Sequence, residues 1–503
     1  MACIPEFEQN NPYNIFAMLI SHIRELDKEF FDSQDHRSSF DINKHCTEAI
    51  DHFLETYPEL SDPYKCLYVG ISSEAVDAIT HWPHYDTVLY VFALLLKFDS
   101  LCHWEAIAKS SPLVEMHGSY SSLNDNAGTT GIHITLRVPS ISDDLTPSLE
   151  PGIANDATKT WAYQWEHGIH CDLKNIDYIV DSDLNVGEKH YEMDHIIVDS
   201  ALALDTKRNL TIAVSPLAKD IHLNLEKKEI HKEGGTQHIF NVTGIDNPER
   251  VHNRVAAAHL LACREHADIL AFPEMLADQE MLGIDQEYSK MFEKFSQIAG
   301  DEGLPSPFLI IGPTIWHEGK NEVHVLDESG SRLCIQQKQN AFALKEGDKT
   351  WKENLISPEP VVHILHLPGF GRIAIPICKD LLTTDYRDLL TKTLHCTLVI
   401  CPSFSPGKTS FGLAAARDRE FGCYVIWINT CSAYDKDRPL SDHVGYVSSP
   451  TLAEPSPFIR QCQNYCGTDT TACLFLIDIP LDRTGSMQAT LHQHIHAELS
   501  REA

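Results

Sequence analysis

Residues 268–274 read Asp-Ile-Leu-Ala-Phe-Pro-Glu, and residues 373–380 read Ile-Ala-Ile-Pro-Ile-Cys-Lys-Asp. Each is a short apolar run that stops at a chemically active side chain, Glu274 in the first and Cys378 in the second. Unbroken apolar runs of this length fit strands buried on both faces, as in sheets covered by helices. Between them, Leu333-Cys334-Ile335-Gln336-Gln337 leads to Lys338. Strand ends in α/β folds are where polar groups converge on a cleft while the strands stay buried.

The surrounding sequence alternates strands with helices from Leu210 onward. Leu210 to Val214 reads as a strand, and Asn247-Pro248 as an N-cap followed by a first-turn proline. Val251, Val255, Ala258 and Ala262 then fall on one helical face. Phe308 to Ile311 reads as a strand, and Glu322 to Leu326 with Arg332 to Gln337 as a hairpin turning at Asp327-Glu328-Ser329-Gly330. Val361 to His366, Arg372 to Ile377, Thr397 to Cys401, Cys423 to Ile428 and Leu474 to Ile479 are further strands. Helices are expected near Asp385 to Thr391 and Ser410 to Glu420. This pattern predicts layered α/β packing.

Residues 1–205 have a different texture. Ile15, Leu19, Ile23, Leu26 and Phe30 form an amphipathic helical stripe, and Cys46, Ile50, Phe53 and Tyr57 repeat the spacing before Pro58. Ser110 to Gly131 is loop-like, and Ile132, Ile134, Leu136 and Val138 alternate as in a strand. The sequence therefore divides into a mainly helical or mixed domain at 1–205, an α/β domain at 206–485 and a tail at 486–503.

Of 503 residues, 43% are hydrophobic and 22% charged, a globular composition with room for more than one domain. Asp and Glu number 72 against 40 Lys and Arg, a net charge of −32 with no long basic run. That balance argues against nucleic acid and anionic membrane as partners. No basic, then apolar leader opens the sequence, and Val88 to Leu96 is too short to span a bilayer. Fifteen cysteines without such a leader point to a reducing, cytoplasmic setting and free thiols.

A thiol, a carboxylate and an ammonium at three strand ends form a coherent chemical set. An adjacent Lys⁺ favours thiolate, a carboxylate takes the thiol proton as attack begins, and the ammonium stabilises an oxyanion. Phe272-Pro273-Glu274, Gln337-Lys338 and Ile377-Cys378-Lys379-Asp380 resemble, in order and separation, the Glu, Lys and Cys motifs of the nitrilase superfamily of carbon–nitrogen hydrolases. Flanking features agree. Glu346 matches the family's second glutamate, Cys401-Pro402-Ser403 its Pro-Ser strand end, and Arg417 to Glu420 followed by Tyr424 to Asn429 its Arg-x-x-Glu helix and following strand. The resemblance spans roughly residues 208 to 480.

The resemblance implies a four-layer α-β-β-α sandwich and a covalent thioester mechanism without a cofactor or metal. It makes Cys378 the nucleophile, Glu274 the general base, Lys338 and the backbone N–H of Lys379 the oxyanion holders, and Glu346 the residue that orients Lys338 or substrate. Asp380, Arg417, Glu420 and Asn429 become structural residues near the site. The resemblance also implies at least a homodimer acting on a small-molecule amide. Gln336, Gln337, Gln339 and Asn340 replace the aromatic or basic residues usual around the family's lysine. Lys379-Asp380 replaces the Trp-Glu of true nitrilases, which favours an amide or ureide over a nitrile. Two alternatives stay open: an inactive binding module, with residues 1–205 meeting a protein partner, and acyl transfer from the same thioester. His167, His170 and Cys171, even joined by Cys462 and Cys466, fit no usual zinc spacing. His492, His494 and His496 read as a solvated tail or one face of a strand.

Overall fold

The computed structural model describes residues 13–28, 31, 50–58, 74, 87–101, 119–120, 130–136, 169, 173, 176–198, 207, 209–217, 221–232, 235–282, 290–367, 370–405, 409–418, 422–433, 443–450, 455–459, 471–481 and 488–498. Phe30, Cys46, Val138, His167, His170, Cys171, Glu420, Cys462 and Cys466 lie outside them. The chain divides into two compact units, Met1–Asp199 with Leu365–Gly371, and Ser200–Ile364 with Arg372–Ala503.

In the first unit, helix Tyr13–Leu26 buries Ile15, Leu19 and Ile23, as the stripe predicts, and leaves Leu26 at the exposed end. Helix Thr87–Leu101 is apolar around much of its circumference and shares one core with it, including Phe16, Leu95 and Phe98. Strand Ile132–Leu136 runs antiparallel to Ile176–Val180, and Asp99 caps that ribbon by accepting the N–H of Ile176 at 2.9 Å. No described helix is long and apolar enough to cross a membrane.

The second unit runs β1 (Asn209–Val214), β2 (Leu223–Lys232), β3 (Gly235–Ile245), α1 (Pro248–Arg264), β4 (Ile269–Ala271), α2 (Lys290–Asp301), β5 (Leu309–Ile311), β6 (Ile315–His317), β7 (Lys320–Asp327), β8 (Arg332–Gln337), β9 (Ala343–Glu346) and β10 (Lys349–Glu353). There follow β11 (Val361–Leu367) and β12 (Gly371–Ala374), whose residues 365–367 and Gly371 are grouped with the first unit, then α3 (Lys379–Leu382), β13 (Leu398–Ser403), α4 (Thr409–Asp418), β14 (Tyr424–Asn429), β15 (His443–Ser448), β16 (Ser456–Ile459), β17 (Thr471–Pro480) and β18 (Thr490–Glu498). It is α/β with mixed sheets.

One sheet has the order β6-β7-β5-β4-β1-β17-β18, with β8 also on β7. Its centre is parallel, β4 lying between β1 and β5. Another carries β12-β13-β14-β15-β16, parallel through β14. Every residue of β4, β13 and β14 is buried, which explains their continuous apolar sequence. Helix α1 begins at Asn247, whose side chain accepts the Arg250 N–H at 3.2 Å, and it buries Val251, Val255, Ala258 and Ala262 against the first sheet. On the other sheet, Phe411 of α4 stacks on Trp427 of β14 at 4.8 Å. Phe458 of β16 stacks on Phe475 of β17 at 5.2 Å, joining the two sheets through their faces.

Two stretches depart from the sequence reading. Residues 490–498, expected as part of a tail, pair as strand β18 with β17, because a strand edge beside Thr471–Pro480 satisfies their backbone groups. Residues 223–245 form a long hairpin that joins β9 and β10 in a third sheet, order β9-β10-β3-β2. Its side chains are exposed over most of their length, so it carries no long apolar run to announce it.

Candidate functional site

The ends of β4, β8, β10, β12 and β13 meet in one buried polar cluster. Glu274, Lys338 and Cys378 are 0%, 1% and 3% exposed. The Lys338 ammonium donates to Glu274 Oε1 at 2.7 Å and lies 2.8 Å from Glu353 Oε2. Glu274 is held on its other oxygen as well, since Oε2 accepts the backbone N–H of Phe404 at 2.8 Å. Its own N–H reaches the carbonyl of Ser403 at 3.4 Å, tying the end of β4 to the end of β13. Asn321 donates from one amide to Glu274 Oε1 at 2.8 Å and to Glu353 Oε1 at 3.3 Å.

Cys378 occupies a turn with φ of 49° and ψ of −100°, a conformation costly for any residue with a Cβ. Its N–H donates to Pro402 O at 2.9 Å, so the neighbouring strand fixes the turn. Met275, directly after Glu274, is also left-handed at φ 63°, with its N–H on Thr314 Oγ1 at 2.8 Å. Two strained residues at two converging strand ends mark the region where the fold holds side chains against local preference.

Burial pushes the Cys378 thiol well above its ordinary range, and the Glu274 charge adds to that, outweighing the opposing pull of Lys338. Burial and the Glu274 charge thus work against the thiolate that a nearby lysine alone would favour. For Lys338, burial works to lower the value, but the Glu274 and Glu353 carboxylates overcome it and hold the amine charged. Burial raises Glu353, against the opposing charge of Lys338. One ammonium thus serves two carboxylates in a site from which water is largely excluded, where charge interactions are strong.

The remaining predicted residues separate. Asp380 is buried and accepts the N–H groups of Gln339 at 3.0 Å, Asn340 at 2.7 Å and Ile377 at 3.1 Å. Burial still raises its carboxyl to about 6. Lys379 opens α3 directly after Cys378. Asn429 grips Ser405 by donating to its carbonyl at 2.8 Å and accepting its N–H at 3.0 Å, which steadies the segment that carries Phe404. Arg417 is half-exposed, 3.7 Å from Asp388. A buried ion pair joins Arg387 to Asp418 at 2.8 Å.

Glu346 is corrected. It sits exposed in the β9–β10 hairpin and pairs with Lys227 at 2.6 Å, because the strand places it at the far end of the ribbon. The second carboxylate at Lys338 is Glu353, at the end of the returning strand. Sequence reasoning missed Glu353, Asn321 and Thr314. The signal available was the turn Glu346-Gly347-Asp348-Lys349, with Gly347 at φ 60°, which folds the chain back after Glu346. Of the glutamines around Lys338, Gln336 donates to Val361 O at 3.2 Å and Gln339 to Glu359 O at 2.8 Å, while Gln337 donates to the Glu322 carboxylate at 3.1 Å. Among the described residues, no group of three His, Cys, Asp or Glu is arranged to hold a metal.

No family model matches the sequence, and no curated protein matches it. Solved structures similar to this chain are amidases and relatives of the nitrilase superfamily. A variant of the Nesterenkonia AN1 amidase from that superfamily is 14% identical, with a TM-score of 0.36, over 54% of this chain and 91% of that one. The C. elegans NitFhit protein is 17% identical, TM-score 0.38, over 55% of this chain and 62% of that one. Saccharomyces cerevisiae Nit3, a member of branch 10 of the nitrilase superfamily, is 15% identical, TM-score 0.32, over 50% and 85%.

Proposed function

We propose that the second unit hydrolyses the C–N bond of a small amide or ureide through a thioester on Cys378, in a four-layer nitrilase-like sandwich. The observation that carries this reading is the shared ammonium: Lys338 lies 2.7 Å from Glu274 and 2.8 Å from Glu353, with both carboxylates buried. Two of its three N–H bonds are directed at carboxylates, and the third serves the carbonyl oxygen of a bound amide. Because burial disfavours the thiolate, attack calls for a base, and Glu274 is that base.

Cys378 Sγ attacks the carbonyl carbon as its proton passes to Glu274. Lys338 and the backbone N–H of Lys379 hold the oxyanion. Collapse expels the amine, which takes the proton from Glu274 and leaves the acyl thioester. Water then attacks the thioester while giving a proton to Glu274. The second collapse releases the carboxylic acid and returns the proton to sulfur. Glu353 keeps Lys338 charged and aimed throughout. With Cys378 only 3% exposed, small acyl groups are favoured.

The test is intact-mass and ammonia-release analysis with a panel of amides. Wild type gains an acyl mass that Cys378→Ala lacks, and Lys338→Met blocks acylation while remaining folded. Ammonia release by Cys378→Ala at the wild-type rate would overturn the proposal.

A further inference from the structure

We infer that Asn321 is a positioning residue for both carboxylates of the site, and that Thr314 sets the direction in which its amide faces. The inference rests on the hydrolase reading above and adds to it a group that no sequence motif announced.

Asn321 is fully buried in β7. Its amide nitrogen has two hydrogens, and they go to two different acids, Glu274 Oε1 at 2.8 Å and Glu353 Oε1 at 3.3 Å. An amide turned the other way would present its oxygen to two carboxylates and repel both. What forbids the flip is on its far side. The Met275 N–H donates to Thr314 Oγ1 at 2.8 Å, so the Thr314 hydroxyl directs its own hydrogen elsewhere, onto Asn321 Oδ1 at 2.7 Å. The chain therefore runs in one direction, from the Met275 N–H through the Thr314 hydroxyl and the Asn321 amide to the carboxylates. It begins one residue after Glu274, so the turn that presents the base also orients the donor that holds it.

The geometry solves a charge problem. Two carboxylates share one ammonium from Lys338, and a neutral amide that donates to each supports their ionised forms without adding a second cation that would compete for the oxyanion. Without those donors the Glu274 carboxylate is no longer held toward the thiol, so Cys378 reacts more slowly while the fold persists. A residue that only filled space would change stability without slowing the reaction of the folded protein, and a conservative hydroxyl variant at Thr314 would not rescue it.

The experiment measures the rate at which iodoacetamide alkylates Cys378 across a pH series, read by peptide mass mapping, with circular dichroism to confirm folding. Asn321→Leu and Thr314→Val are each expected to slow alkylation of the folded protein about tenfold. Thr314→Ser keeps the hydroxyl and restores the wild-type profile. The double variant is no worse than Asn321→Leu alone, because both changes break one chain. If Asn321→Leu does not fold, Thr314→Val with Thr314→Ser carries the test. Lys338→Met separates the two levels of argument. Slow alkylation in Lys338→Met beside wild-type profiles in the Thr314 and Asn321 variants overturns this inference alone. Unchanged alkylation in Lys338→Met overturns the hydrolase reading beneath it.

Discussion

Asp380 accepts the backbone N–H of Asn340 at 2.7 Å and, from the same oxygen, the Asn340 side-chain amide at 2.9 Å. The residue two places after Cys378 thereby fastens the turn two places after Lys338. Further bonds to Gln339 and Ile377 close the loop between the two strand ends. Asp380→Asn turns an NH₂ group toward this cluster of donors and is expected to destabilise the second unit by about 2 kcal/mol, read by urea denaturation. The difference depends on pH. The folded Asp380 value of about 6 lies above its ordinary 3.8, so the unfolded chain ionises first as pH rises. Wild type should lose stability relative to Asp380→Asn between those values, by about 3 kcal/mol in total. A difference that grows with rising pH would contradict the burial argument.

Glu353→Gln leaves Lys338 with one carboxylate and is expected to slow acylation by about a hundredfold. Glu346→Gln changes a half-exposed pair with Lys227 and should leave the rate within about twofold of wild type. Single-turnover acylation measured by rapid-quench mass spectrometry distinguishes the two glutamates. Equal effects would mean that the hairpin register is misassigned.

The mistake between these residues shows where sequence legibility ends. Glu274 and Cys378 follow strands buried throughout, whose apolar runs are readable because burial on both faces forces their composition, whereas Lys338 ends a half-buried strand and is found through its place between them. Glu353 stands at the end of Lys349–Glu353, where only Trp351 and Glu353 are buried, and the one local signal that separates it from Glu346 is the turn at Gly347. Its role depends on a hairpin whose partner strand, β3, is more than a hundred residues upstream. Asn321 was hidden for the same reason: a lone Asn opening a strand has no local signature, and its partners come from β4 and β10. Asn247, by contrast, acts within its own turn, and its capping was readable. The buried faces of α1 and of helix Tyr13–Leu26 followed from spacing alone.

Gly445 tests how tightly β14 is held. Its φ is 158°, and a Cβ there would lie 2.4 Å from the Trp427 carbonyl oxygen and 2.5 Å from the Phe458 ring. Backbone cannot retreat as a flexible side chain can, so Gly445→Ala should destabilise the second unit by about 3 kcal/mol. Because β14 ends in Asn429, which steadies the Phe404 segment on Glu274, acylation should weaken in the same variant. A thermal midpoint equal to that of wild type would show that the strand shifts freely.

His324 gives a prediction of opposite pH sign to Asp380. It is fully buried in β7, and neither ring nitrogen meets a hydrogen-bonding partner among the described residues. Burial, helped by the Arg332 charge, lowers it from 6.5 to about 4. A depressed histidine stabilises the fold above the unfolded value and loses that contribution as pH falls, since the unfolded chain takes up the proton first. Replacement by leucine removes both the titration and two buried polar atoms. His324→Leu should therefore match or exceed wild-type stability near neutrality, and its advantage should widen by about 3 kcal/mol as pH drops from 6.5 towards 4. Urea denaturation of both proteins at several pH values reads the difference directly, and an advantage that shrinks in acid would mean that the folded protein protonates His324 readily.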